Sequence, residues 1–159
     1  MISYFILAIV LVVLDQLVKV WALDSLAPVG SIDFLPFLRF TYVENRGAAF
    51  GILTGQRWIL SAVSIIVVAV CIYIIAARRL KTRAENISVA LIAAGGAGNL
   101  IDRLTRGFVV DYIDINALFS YPMFNLADCC VVVGAILLVI ATFIGEKKTA
   151  AEKEQDSDS

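Results

Sequence analysis

Asp111 and Asp128 are the acids of this sequence that most need a chemical explanation, and the absence of any histidine narrows what that explanation can be. Without histidine there is no Ser-His-Asp or Cys-His catalysis and no His-containing zinc site. A carboxylate pair remains. Like charges at close range cannot both ionise, so two neighbouring aspartates hold one proton between them; one activates water while the other donates. Such a pair titrates as a unit, and the sequence does not say which member is the base. The cysteines, Cys71, Cys129 and Cys130, have neither metal-ligand nor disulfide-framework spacing and read as small apolar packing residues.

The setting makes these acids conspicuous. An ionisable side chain at membrane depth costs several kcal/mol unless it is paired, hydrated or functional, roughly the range insertion measurements give. Asp15 and Lys19 stand four residues apart in an apolar run, on one helical face, where they can neutralise each other. Asp102 and Arg103 close a second such run, and are expected to pair. Arg57, Lys19 and Arg103 taken singly fit equally well as helix-end cations reaching for the interface. Carboxylates have stems too short for that, and Asn45, Asn99 and Asn125 supply a polar neighbourhood that a membrane anchor does not require.

The elements that must hold these residues follow from composition. The chain is 60% hydrophobic and 17% charged, outside the soluble range, so lipid is the expected solvent. A net charge of -1 points to no nucleic-acid partner. A span needs about 20 mostly apolar residues, and residues 2–23, 58–77, 87–104 and 123–145 qualify. The first run lacks a basic start and carries Asp15 and Lys19, so it reads as a retained span and not as a cleaved leader. Arg78, Arg79, Lys81 and Arg83 crowd one link, and Lys147, Lys148 and Lys153 follow the last span, which places both segments and both termini in the cytoplasm. Residues 24–57 and 105–122 are then outside. In the first of these, residues 31–34 and 37–43 read as strands broken by Pro28, Gly30 and Pro36. The expected fold is a membrane all-α bundle of four transmembrane helices with a small β-rich extracytoplasmic surface segment. Residues 1–145 form a single domain, and residues 146–159 form a disordered cytoplasmic tail.

This topology predicts convergence at one depth. At a rise of 1.5 Å per residue Asp15 lies about 12 Å from the outer end of its span and Asp128 about 8 Å below the start of the fourth. Asp102 and Arg103 end the third span on that side, and Asp111 waits in the connection between. Gly95, Gly96 and Gly98 remove side chains from successive turns of the third span and predict a closely packed neighbour. Gly47 suits a turn or the close approach of a substrate backbone.

Four blocks now match a known pattern: Asn45-Arg46-Gly47-Ala48-Ala49-Phe50, Gly98-Asn99-Leu100-Ile101-Asp102-Arg103, Val110-Asp111-Tyr112 and Phe124-Asn125-Leu126-Ala127-Asp128. With Asp15-Gln16 and Lys19, the sequence resembles the bacterial lipoprotein signal peptidases (signal peptidase II) from about Asp15 to the end of the fourth span. That resemblance implies a cytoplasmic-membrane endopeptidase that cuts prolipoproteins before a diacylglyceryl-modified cysteine, without metal or organic cofactor, functional as a monomer, with its site near the outer leaflet. It implies Asp111 and Asp128 as the catalytic dyad. It implies Asn45, Gly47, Asn99, Asp102, Arg103 and Asn125 as residues that line or brace the site, and Asp15 with Lys19 as a structural polar pair. Residues 24–57 correspond to a surface cradle for substrate. Tyr112 stands where phenylalanine is more usual, and Asp114 adds an acid that competes with Asp111 for the role of partner.

Other classes are open on the residues alone. A proton-coupled carrier would also use membrane aspartates, but the acids gather towards one surface and leave no polar trail across the bilayer. A scaffold subunit would pair them with arginines of partner helices. A serine-lysine peptidase would have to use Lys19, which already has Asp15 within reach.

Overall fold

The computed structural model describes residues 1–47 and 53–157, with side chains as far as Gly145. Ala48, Ala49 and Phe50 of the block that begins at Asn45 lie outside the described residues. Four helices are long and apolar enough to cross a membrane. They are α1 (Ile2–Trp21), continued by a wide π-type turn over Ala22–Leu26, α2 (Arg57–Ala76), α3 (Arg83–Thr105) and α4 (Leu126–Ser157). Three strands, β1 (Ser31–Leu35), β2 (Leu38–Asn45) and β3 (Val109–Asp114), form one antiparallel sheet in that order. Both connections that build the sheet leave from the same end of the bundle, where α1 and α3 finish and α2 and α4 begin.

Burial runs opposite to that of a soluble bundle. The buried residues of α1 are Asp15 and Lys19, whereas Ile6, Ile9 and Leu17 face outward. A hydrocarbon solvent explains the inversion, since apolar side chains gain little by leaving it while charges must find partners within the protein. The least apolar span, α3, is accordingly the most enclosed and packs against α1, α2 and α4. Ala90, Ala93, Ala94, Gly95 and Gly98 make its surface low enough for this.

The close approach foreseen from the glycines is present at α4. A Cβ on Gly95 would stand 2.6 Å from Val131 Cγ2 and collide with the Ala127 carbonyl, and one on Gly134 would stand 2.8 Å from the Ser88 carbonyl oxygen. Gly95→Ala should therefore push α4 off α3 and lower stability by about 1–3 kcal/mol, the usual cost of overpacking. Denaturant unfolding in detergent measures this, with Gly145→Ala, where the added atom meets nothing, as the neutral control.

Several boundaries differ from expectation, each for a local reason. The helix α3 starts at Arg83 and not at residue 87, because Thr82 and Glu85 form a capping box in which each side chain accepts the other's backbone N–H. The segment taken as a plain outer connection contains β3, whose Val109-Val110-Asp111-Tyr112-Ile113 run has strand composition. The helix α4 starts at Leu126 and not at residue 123, because Phe124 still pairs with Ile113 beside β3. Asp128 consequently lies in the first turn of α4 rather than deeper. The tail expected to be disordered continues α4 as helical backbone to Ser157; its Ala, Glu, Lys and Gln residues are strong helix formers that extend an existing helix at little cost.

Candidate active site

The sheet supplies the first acid. Val43 pairs with Asp111 and Asn45 with Val109, so Asn45 and Asp111 are diagonal neighbours on one face of the sheet. Asn45 Nδ2 donates to Asp111 Oδ2 at 2.8 Å. The other carboxylate oxygen accepts from Asn125 Nδ2 at 2.7 Å. Asp111 is 2% exposed; burial, and after it the charge of Asp128, push its carboxyl up to about 7.

The start of α4 supplies the second. Asn125 caps the helix: its Oδ1 accepts the Asp128 N–H at 2.9 Å, and Asp128 Oδ2 accepts the Asn125 N–H at 3.2 Å. Asn99 Nδ2 of α3 holds Asp128 Oδ1 at 2.8 Å. One residue, Asn125, thus touches both carboxylates.

The remaining orphan donors of this helix end are met from elsewhere in the fold. Leu126 N–H donates to the Tyr112 hydroxyl at 3.1 Å, and Ala127 N–H donates to Asp15 Oδ1 at 3.0 Å. Three consecutive N–H groups are therefore satisfied by β3, α1 and the cap itself, which matters at a depth where water is scarce. The hydroxyl of Tyr112, the departure from the usual phenylalanine, has this structural use.

Beneath the aspartates lies a buried ionic cluster. Lys19 is fully buried, and its three donors go to Asp15 Oδ2, Asp102 Oδ2 and Asn99 Oδ1, each at 2.9 Å. The Asp15–Lys19 pair read from the i, i+4 spacing is present. The expected Asp102–Arg103 pair is not. Asp102 is bound by Lys19 and by Arg106, and also accepts the Val110 N–H at 3.1 Å. Consecutive helical residues point about 100° apart, so Arg103 faces away from Asp102; i, i+4 spacing instead brings Arg106 to it. Arg103 lines the cavity beside Asp128, with Nη1 3.5 Å from the Asn99 carbonyl and Nη2 3.5 Å from the Gly47 carbonyl. The Gly47 N–H donates to Asn45 Oδ1 at 2.9 Å, which orients the amide that holds Asp111.

Asp114 is set apart. It sits an odd number of residues from Asp111 along β3, hence on the opposite face, and accepts from Thr41 Oγ1 and from the N–H and side chain of Asn116. The backbone N–H of Asn116 is the main reason its carboxyl lies below the usual carboxylate range. Sequence reasoning had passed over Arg106, although its spacing from Asp102 is the same i, i+4 signal that revealed Lys19.

A cavity of about 380 Å³ adjoins Asp128, with Asp111 behind its wall residue Asn45. Asn45, Asn99, Arg103 and Asp128 form its polar end, and Val63, Val67, Gly95 and Val132 belong to its apolar remainder. Among the described residues no group of three or more His, Cys, Asp or Glu side chains could hold a metal ion.

Two solved bacterial membrane enzymes share this architecture. One, determined by the in meso method at 2.3 Å resolution, superposes with a TM-score of 0.82 at 31% identity over 92% of this chain and 90% of its own. The other, at 1.9 Å resolution, gives 0.79 at 32% identity over 88% and 92%. The fold, taken with the family match that follows, defines the class as a membrane-embedded peptidase of the aspartic type. The model of the signal peptidase (SPase) II family matches residues 7–144. The lipoprotein signal peptidase of Clostridium acetobutylicum is 41% identical over 86% of this chain and 91% of its own length, and that of Clostridioides difficile 40% identical over 92% and 98%. The chain belongs to the signal peptidase II family, which removes signal peptides from prolipoproteins.

Proposed function

We propose that Asp111 and Asp128 are the catalytic dyad of this endopeptidase and that it cuts prolipoproteins immediately before the lipid-modified cysteine. The observation that carries this reading is the bridge made by Asn125, whose side chain reaches Asp111 at 2.7 Å and whose N–H reaches Asp128 at 3.2 Å. Two acids tied through one residue beside a cavity can share a proton, deliver water to a peptide carbonyl and protonate the departing nitrogen. Asn45, Gly47, Asn99, Asp102, Arg103 and Asn125 brace the pair and the cavity wall, and Asp15 with Lys19 anchors them from below. Asp111 lies one hydrogen bond behind the wall residue Asn45, so an extended substrate that bonds Asn45 would open the way to both acids.

The basic link at residues 78–83 supports cytoplasmic termini and, with them, a sheet and dyad at the outer face. Substrate then enters sideways with its acyl chains still in hydrocarbon, along the apolar part of the cavity, and a monomer suffices for the chemistry. No metal or organic cofactor has a part in this scheme.

The pH–rate profile tests it. The carboxyl of Asp111, raised to about 7, keeps the shared proton below that pH and loses it above, where neither acid can donate. Turnover of a lipidated precursor should fall about tenfold per pH unit on the alkaline side, and the same precursor without its lipid should be cut poorly at every pH. A flat profile from pH 6 to 9, or equal cutting of both precursors, would overturn the respective half of the proposal.

A further inference from the structure

Arg106 is the charged residue near the site that no role yet covers. It stands at the end of α3, partly exposed, and its Nη1 reaches both Asp102 Oδ1 and, at 3.1 Å, Gln16 Oε1 of α1. Asp102 is fully buried. Its Oδ2 takes Lys19 and the Val110 N–H, and its Oδ1 takes Arg106 and Gln16 Nε2.

Charge and donor accounting give Arg106 a role. The buried cluster holds Asp15 and Asp102 against Lys19 and Arg106, so it is neutral only with Arg106 in place. An ammonium has three donors, and those of Lys19 are divided among Asp15, Asp102 and Asn99. The third bond fixes the Asn99 amide, whose nitrogen holds Asp128 at 2.8 Å. Without Arg106 two buried carboxylates would compete for one ammonium, and the neutral amide of Asn99 is the weakest of its three claimants.

We propose that Arg106 is a positioning residue: by holding Asp102 from the rim of the cluster, it leaves Lys19 to orient Asn99 and, through Asn99, Asp128. The inference rests on the dyad reading above. Acidic and basic neighbours on the helices are Asp15 and Lys19 of α1, Asp102 and Arg103 of α3, and Asp128 of α4. The sheet side contributes Tyr42 and Glu44 of β2, Arg46 just after it, and Asp111 of β3. Loss of a positive charge among these groups strengthens the hold of the dyad on its proton.

The test compares Arg106→Gln, Arg106→Lys and Asp128→Asn in the full-length protein in detergent, with a lipidated precursor peptide across pH. Arg106→Gln should lower kcat by about tenfold or more with KM within about twofold, because the interaction lost acts on the reacting groups and not on substrate binding. The alkaline limb of its profile should move to higher pH, while Arg106→Lys keeps kcat within about threefold and the limb in place. A folded Arg106→Gln with unaltered kcat and profile overturns the proposal. If Arg106→Gln does not fold, Arg106→Lys decides, because a tenfold loss with the charge retained is incompatible with this role. If Asp128→Asn still cleaves, the dyad reading itself has failed; an inactive Asp128→Asn beside a silent Arg106→Gln sinks only the inference about Arg106.

Discussion

Asp128→Asn should give a folded protein that has lost at least about a thousandfold in kcat, the scale on which general acid–base groups contribute. Asparagine is nearly the same size, and its carbonyl oxygen can still accept the hydrogen bond of Asn99 or of the Asn125 N–H, so the cap on α4 survives. What goes is the negative charge and the capacity to take a proton. Asp111→Asn should cost as much and meets the same constraint, since Asn125 and Asn45 both donate to that carboxylate, as Asn99 and the Asn125 N–H do to Asp128. An amide in either place presents one oxygen to two donors, so a modest loss of stability accompanies the loss of turnover in both variants. Cleavage of a lipidated precursor, followed by mass spectrometry, reads the activity; a cooperative unfolding transition in both variants excludes collapse as the cause. Retention of wild-type turnover by either variant would remove the dyad.

Lys19→Met should be strongly destabilising, by about 3–5 kcal/mol, the usual cost of stripping one partner from a buried ion pair. Methionine fills much of the space but leaves Asp15, Asp102 and the Asn99 carbonyl without their common donor. Arg106 and Gln16 still serve Asp102, and Ala127 still donates to Asp15, so Asp15 is the group left most exposed to uncompensated charge. Unfolding in detergent at neutral and at acid pH separates the terms: acid neutralises the stranded carboxylates, so the deficit of Lys19→Met against wild type should shrink as pH falls. A deficit below about 1 kcal/mol at neutral pH would mean that the cluster is solvated rather than buried.

The legible parts of this molecule in its sequence were those governed by short-range rules. Four apolar runs gave four spans, because length and hydropathy are all that a bilayer requires of a helix. The i, i+4 spacing of Asp15 and Lys19 gave their contact, and of the two acids on β3 it is Asp111 that accepts from Asn125, whereas Asp114 accepts from Thr41 and Asn116. The pairing of Asp102 was misjudged because adjacency in sequence is not adjacency on a helix. The third strand stayed hidden because β3 is 6 residues long and draws its partners from a segment more than 60 residues earlier. The capping of α4 by Asp15 was out of reach for the same reason: that contact spans 112 positions, and no local pattern announces it.

That last contact sets a timetable. The carboxylate of Asp15 leaves the ribosome with α1, and the Ala127 N–H it accepts follows 112 positions later with α4. A growing polypeptide therefore possesses the anchor long before it possesses Asp128, and until α4 is inserted Asp15 has Lys19 and Gln16 of its own helix to hold but not the Ala127 N–H. If Asp111 and Asp128 form the dyad proposed above, products stalled before α4 are inert towards neighbouring peptides, and competence arrives in one step once α4 is inserted.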